Sequence, residues 1–150
     1  MYAMVVKRVI RKSFAAVERH DYEYVLSRAY PNLHHEFAGS HSLGGARNDT
    51  GSVRLWFERL GRVLPNLHLS VTHMYAKGWP WKTVVMVRWD AHADLLDGSV
   101  YRNRGVHFIY LRWGKVYEMV VYEDTQAIAH ALRRQTEAGV KEASLPKIES

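Results

Sequence analysis

The sequence of 150 residues contains no cysteine, which excludes disulfide bonds, thiolate metal sites and a cysteine nucleophile. It also lacks any apolar run long enough to cross a membrane. The segment Met1–Ser13 carries four basic side chains where a signal peptide has an uninterrupted apolar stretch. We therefore expect a cytoplasmic protein that has no membrane partner.

Positive charge is in excess, because the sequence has 21 Lys and Arg residues and 15 Asp and Glu residues, which gives a net charge of +6. A nucleic-acid-binding surface needs those cations clustered on one face. Here 14 of the 21 are arginines, scattered from Arg8 to Arg134 between acidic residues, and there is no block of five like charges. We expect no nucleic-acid partner.

Hydrophobic residues make up 47% of the chain, which is enough to bury one core and too little for two ordinary domains. The sequence predicts one domain over residues 1–138. Residues 139–150 mix Lys, Glu, Ser and Pro with few apolar groups, a composition typical of a loose tail.

The spacing of apolar residues separates helices from strands along the chain. Helical spacing predicts helices at Val6–His20, between Asp21 and Pro31, at Val53–Leu64 and, after an Asp124 cap, over Ile128–Leu132. Alternating spacing predicts strands near residues 67–72, 83–95, 102–112 and 115–123, with a shorter one at 32–38. The four glycines of Gly39–Gly51 predict a loop.

This order of elements and several local motifs resemble one known group over about residues 5–137. The motifs are Tyr30–Gly45, Val53–Leu64, Gly78–Trp81, Asn103–His107 and Gly114–Thr125. The chain resembles the ketosteroid isomerase and SnoaL-like polyketide cyclase group, which has the nuclear-transport-factor-two-like fold, and especially an uncharacterised bacterial branch of it. The resemblance implies an α+β domain with a cone-shaped, curved antiparallel sheet whose concave face holds the N-terminal helices and encloses a pocket. It also implies a homodimer formed through the exposed face of the sheet.

The same resemblance assigns candidate catalytic residues. Glu36 falls where the isomerase carries its proton-shuttling carboxylate, and His107 falls at the second acid/base position. A neutral imidazole in an apolar pocket is a suitable general base. The third isomerase group, a tyrosine, would fall near Ser13, so isomerase chemistry of the authentic kind is not implied. Two alternatives stay open: His107 as an ordinary core residue, and Glu36 as an exposed one.

Further residues are predicted to line the pocket, and Gly105 is expected to leave room for a ligand beside His107. Asn103 and His107 should share one face of their strand because they are an even number of residues apart. The pKa of His107 should be lowered unless a carboxylate lies close by. The predicted substrate-binding residues are Tyr24, Phe37, His41, Trp56, Trp89, Asn103, Met119, Val121 and Glu123.

A metal site is not predicted, although His34, His35 and His41 lie close to Glu36 in sequence. Neighbouring residues of an extended segment point to opposite faces, so these ligands would not converge. We expect a cofactor-independent enzyme that transfers a proton beside a carbonyl or closes a ring by an aldol-type step. A non-catalytic pocket for an apolar metabolite and a dimerising accessory domain are the alternatives, because fold does not determine function.

Overall fold

A computed structural model describes all 150 residues. The helices are α1 (Tyr2–Glu18), α2 (Tyr22–Leu26), α3 (Thr50–Val63) and α4 (Thr125–Glu137), followed by a short 3-10 helix at Lys141–Ser144. The strands are β1 (Ala29–Phe37), β2 (Gly45–Arg47), β3 (His68–Trp79), β4 (Lys82–Asp94), β5 (Val100–Arg112) and β6 (Lys115–Glu123).

Aspartate side chains cap three of the helices, which explains where these helices begin. The Asp21 carboxylate accepts a hydrogen bond from the backbone N–H of Tyr24, and Asp124 accepts from two N–H groups in the first turn of α4. Both caps are as predicted, and Asp49 caps α3 in the same way. Such caps satisfy N–H groups that have no partner within the helix.

The six strands form one curved, unclosed sheet in the order β2-β1-β6-β5-β4-β3. All neighbouring strands are antiparallel except β1 and β6, which run parallel. The predicted α+β architecture is confirmed, with that one parallel pair as an exception to a wholly antiparallel sheet. Register shifts at three points, in β1, in β3 and in β6 where it pairs with β5, interrupt the ladders and increase the local twist.

The glycine-rich segment differs from its prediction as a loop, because Gly45–Arg47 pairs with the end of β1 as strand β2. Gly45 has a positive φ of 90°, a backbone conformation that glycine adopts without steric cost. The short strand places Arg47 in the interior, where it is fully buried.

Residues 139–150, predicted from their composition to be loose, make defined contacts with β2 and α3. The carbonyl of Ile148 accepts a hydrogen bond from Arg47, and that of Pro146 accepts one from Arg59. Ala143 is buried in the main core. Residues 139–150 therefore pack against β2 and α3 as part of the domain.

None of the helices is long and apolar enough to cross a membrane.

Candidate functional site

A cavity lies between the concave side of the sheet and helices α1, α2 and α3. Its volume is about 90 Å³ in the space open to the centres of water molecules. One water needs roughly 10–15 Å³ by this measure, so the interior has room for a small ligand and is not a closed core. Of the 27 residues that line the cavity, 21 are hydrophobic. The site therefore favours an apolar molecule, and its few polar groups must set the chemistry.

His107 is one of these polar groups, and its ring is fixed by Trp89. The indole Nε1–H of Trp89 donates a hydrogen bond to His107 Nδ1 over 2.7 Å. The edge of the Phe14 ring contacts the same imidazole, with 5.0 Å between ring centroids. Because Nδ1 accepts, the neutral ring carries its proton on Nε2. His107 therefore presents an N–H donor to the cavity.

The pKa of His107 follows from this environment. The residue lines the cavity and is half-buried, and burial lowers its pKa from 6.5 to about 3. The imidazole is neutral at physiological pH, as the apolar surroundings predict. A ring with so low a pKa, whose Nδ1 lone pair is already engaged, is a weak base and a good hydrogen-bond donor.

Gly105 has a different role from the one predicted. A Cβ atom at this position would lie 2.5 Å from Cζ2 of Trp89 and 2.7 Å from the carbonyl oxygen of Tyr122. The glycine thus leaves room for the Trp89 indole and not for a ligand. This close approach is what lets Trp89, whose register partner on β5 is Gly105, reach across to His107.

Glu123 supplies a carboxyl group to the cavity wall. It pairs with Gly105 across β5 and β6, which makes it a diagonal neighbour of His107 on the same face. Burial raises its pKa from 4.5 to about 8, although the adjacent Tyr101 hydroxyl opposes this effect. Its Oε1 atom is buried without a hydrogen-bond partner. A carboxyl that exchanges its proton near neutral pH is suited to general acid/base work.

His35 is a second imidazole in the cavity wall, a position that was not predicted from the sequence. Its Nδ1 accepts a hydrogen bond of 3.0 Å from Nε of Arg47, so the neutral ring again carries its proton on Nε2. Burial lowers the pKa of His35 well below 6.5, and the Arg47 charge adds to the effect. The pattern Leu33-x-His35-x-Phe37, with all three side chains buried, was the sequence signal for it.

Arg47 is fully buried and has no carboxylate hydrogen-bonded to it. Besides His35, its guanidinium donates to the carbonyls of Gly44, Gly45 and Ile148. Its Cζ lies 5.4 Å from the ring centroid of Trp56. Burial lowers the pKa of Arg47 to about 10, so it stays charged at neutral pH.

The structure does not place Glu36 in the cavity, and this corrects the position that the resemblance gave it. Glu36 is exposed on the outer face of β1, where its carboxylate lies 3.3 Å from the imidazole of His34. The alternation of β1 is the reason, because Leu33, His35 and Phe37 take the inner face.

The other predicted lining residues fall into two groups. Phe37, Trp56, Trp89, Met119 and Glu123 line the cavity beside His107. Tyr24, His41, Asn103 and Val121 do not.

Each residue of the second group has a structural reason for its place outside the cavity. Tyr24 packs against the Arg28 guanidinium, 3.8 Å from its ring centroid. His41 accepts a hydrogen bond from the backbone N–H of Leu43 within its own loop. Val121 is fully buried within the wall.

Asn103 lies beyond the cavity and its amide is fully engaged. It donates to the Tyr101 hydroxyl and the Asp124 carbonyl and accepts from two backbone N–H groups. It therefore positions Tyr101 next to Glu123 and cannot orient a substrate directly. Ser13 does line the cavity, and its hydroxyl donates to the Val9 carbonyl.

No cluster of three or more His, Asp or Glu side chains in the chain is arranged to hold a metal ion. His34 and His35 point to opposite faces of β1.

Comparisons with known proteins agree with this architecture. The sequence model of the SnoaL-like domain matches residues 10–119. No curated protein matches the sequence.

Solved structures show the same fold at low identity. TerC, co-crystallised with polyporic acid, has a TM-score of 0.72 at 22% identity, covering 84% of this chain and 96% of its own. PrhC of Penicillium brasilianum has a TM-score of 0.77 at 16% identity, covering 95% and 94%. IdmH of Streptomyces antibioticus, a candidate polyketide cyclase, has a TM-score of 0.69 at 15% identity, covering 85% and 98%.

Proposed function

Because this chain belongs to the SnoaL-like domain family, we propose that its cavity binds a small, mainly apolar molecule with a carbonyl group and transfers a proton beside that carbonyl without a cofactor. The observation that carries the proposal is the meeting of two neutral imidazoles and a carboxyl of raised pKa in one apolar cavity. Isomerisation and aldol-type ring closure both use this step.

The imidazoles of His107 and His35 serve as hydrogen-bond donors in this proposal. Each ring offers Nε2–H, and each is held by a fixed donor on Nδ1. Removing a proton beside a carbonyl places negative charge on the carbonyl oxygen, and oriented donors in a dry site stabilise that charge. A neutral imidazole can fill this role without the cost of burying a cation.

Glu123 serves as the acid/base group that moves the proton, a role first assigned to His107. Its pKa of about 8 lies near the operating pH, which maximises the efficiency of proton transfer. The Tyr101 hydroxyl beside it is held by Asn103.

Among the neighbours of this fold, one was crystallised with polyporic acid and another is a candidate polyketide cyclase. Both descriptions support a small organic ligand for the cavity. A homodimer through the outer face of the sheet and a cytoplasmic location stay predictions.

The test uses 2-tetralone, an apolar bicyclic ketone, in deuterated buffer. We expect the protein to accelerate deuterium incorporation next to the carbonyl, with a rate that rises with pH and levels off above the pKa of about 8. Glu123→Gln should lower the rate at least about a hundredfold. The matched control is Glu36→Gln, which alters a carboxylate on the outer face and should leave the rate unchanged.

Three results would separate the alternatives. Exchange no faster than in buffer, with tetralone still quenching tryptophan fluorescence, would favour the non-catalytic binding domain. Neither exchange nor quenching would favour the accessory domain. Equal losses in Glu123→Gln and Glu36→Gln would contradict the assignment of Glu123.

A further inference from the structure

Three tryptophans are exposed together at one end of the sheet. Trp79 is the last residue of β3, Trp81 lies in the β3–β4 turn, and Trp113 lies in the β5–β6 turn. Their exposed fractions are 66%, 54% and 65%, unusual for the side chain with the largest apolar surface. We call these residues, with the flanking Lys77, Lys82, Arg112 and Lys115, the tryptophan tip.

The two turns are joined, so the rings form one surface. The backbone N–H of Trp113 donates to the Pro80 carbonyl over 2.6 Å. The rings of Trp79 and Trp81 are stacked with centroids 5.8 Å apart, and the ring of Trp113 lies 6.3 Å from that of Trp81. The aromatic surface is thus held in place by the backbone.

The apolar surface continues onto the first turns of α1. The Tyr2 hydroxyl is hydrogen-bonded to Thr83, two residues after Trp81, which fixes the start of α1 beside the tip. Met4 and Val5 are exposed there. Together with Met1 and the three tryptophans, they are six of the twelve exposed large hydrophobic residues of the chain. A concentration of this kind indicates an interaction surface.

The charge around the tip has a single sign. Lys77, Lys82, Arg112 and Lys115 are exposed, and none forms an ion pair with a carboxylate. No Asp or Glu occurs in residues 1–17, 74–89 or 101–117, the segments that build this end. The charge of this surface therefore favours an anionic occupant.

We propose that the tryptophan tip inserts into the headgroup region of an anionic lipid bilayer and holds the protein at the membrane surface. Tryptophan is enriched at that depth because its ring is apolar and its N–H is polar. Lys and Arg beside it are attracted to anionic lipids. The sequence-based expectation of no membrane partner excluded a spanning segment, whereas this surface needs none.

Two other occupants fit less well. A second copy of the chain would bring the four cations of each tip against those of the other. Single-stranded nucleic acid binds by stacking successive bases on aromatic faces, and the mutual stacking of Trp79 and Trp81 leaves fewer faces for bases. The exposed aliphatic side chains of Met4 and Val5 match hydrocarbon better than bases.

The experiment is sedimentation of the full chain with phosphatidylcholine vesicles that do or do not contain phosphatidylglycerol. We expect binding to the anionic vesicles only, weakened by salt, with a blue shift of tryptophan emission as exposed rings leave water. Trp79→Ala/Trp81→Ala and Lys77→Gln/Lys82→Gln should each lower the partition coefficient at least about tenfold. These side chains are exposed, so both variants should fold.

Control variants carry changes of the same kind at the opposite end of the domain. Arg133→Gln/Lys141→Gln removes two exposed charges near the end of α4, and Leu96→Ala removes an exposed apolar side chain. Neither should change binding. Absence of vesicle binding by the wild type, or equal losses in tip and control variants, would overturn the proposal. So would tip-dependent binding of a single-stranded oligonucleotide without vesicle binding, which would make nucleic acid the partner.

Discussion

The cavity has two walls that present the same chemical group by different means. In the wall formed by β4, β5 and β6, a neutral indole holds the imidazole of His107. In the wall formed by β1, the buried guanidinium of Arg47, from β2 behind it, holds that of His35. Both supports engage Nδ1 and leave Nε2–H free for the cavity. The comparison shows that one tautomer can be fixed by a side chain with a single hydrogen bond or by one that also binds other segments of the chain.

Trp89 and Arg47 differ in the number of other contacts that they make. Trp89 makes one hydrogen bond with its indole, to His107 on the neighbouring strand. Arg47 also ties together the carbonyls of Gly44, Gly45 and Ile148, the last of which is 101 residues away in sequence. Loss of the Trp89 indole should therefore affect only the surroundings of His107. Loss of the Arg47 guanidinium should disturb β2 and the last residues of the chain as well as His35.

The largest effect is expected from Arg47→Met. This change removes the donor from one buried carbonyl, two partly buried carbonyls and a buried ring nitrogen. Each unpaired buried group costs about 1–3 kcal/mol. We expect the free energy of unfolding to fall by about 3 kcal/mol or more in urea titrations. The control is Arg54→Met, because Arg54 is partly exposed and pairs only with the exposed Glu23. A loss no larger than that of the control would contradict the role given to Arg47.

A smaller effect is expected from Trp89→Phe, which removes one hydrogen bond and a little volume. We expect a loss of about 1–2 kcal/mol. Trp56→Phe is the matched control, because its indole also donates one hydrogen bond, to the Leu43 carbonyl. Both variants should lose similar stability, but only Trp89→Phe should release His107 Nδ1 and produce a mixture of tautomers in NMR spectra. An unchanged tautomer in Trp89→Phe would show that the indole does not fix the ring.

The site residues that could be predicted from the sequence are those whose placement follows from strand alternation. Strand alternation places His107 and Glu123 on the inner face of β5 and β6, because register along neighbouring strands is local information. For β1 the resemblance favoured Glu36, whereas the alternation of Leu33 and Phe37 favours His35.

The hydrogen bonds that Trp89 and Arg47 donate to the two histidines could not be predicted from the sequence, because they depend on contacts between distant segments. Arg47 lies in a glycine-rich stretch that composition assigns to a loop, and its partner Ile148 lies in a segment that composition assigns to a loose tail. The role of Gly105 was also missed, since only the packing of Trp89 shows what the missing Cβ leaves room for.

The most direct test of the two-wall account is ¹⁵N NMR of the histidine rings, with His107→Gln and His35→Gln used to assign the signals. We expect both rings to be neutral Nε2–H tautomers at pH 7. The His107 signal should stay unchanged on acidification until the pH approaches its pKa of about 3, and that of His35 should also resist protonation at pH 6.5 because burial lowers its pKa. A proton on Nδ1 of either ring, or titration of either ring near pH 6.5, would contradict the account.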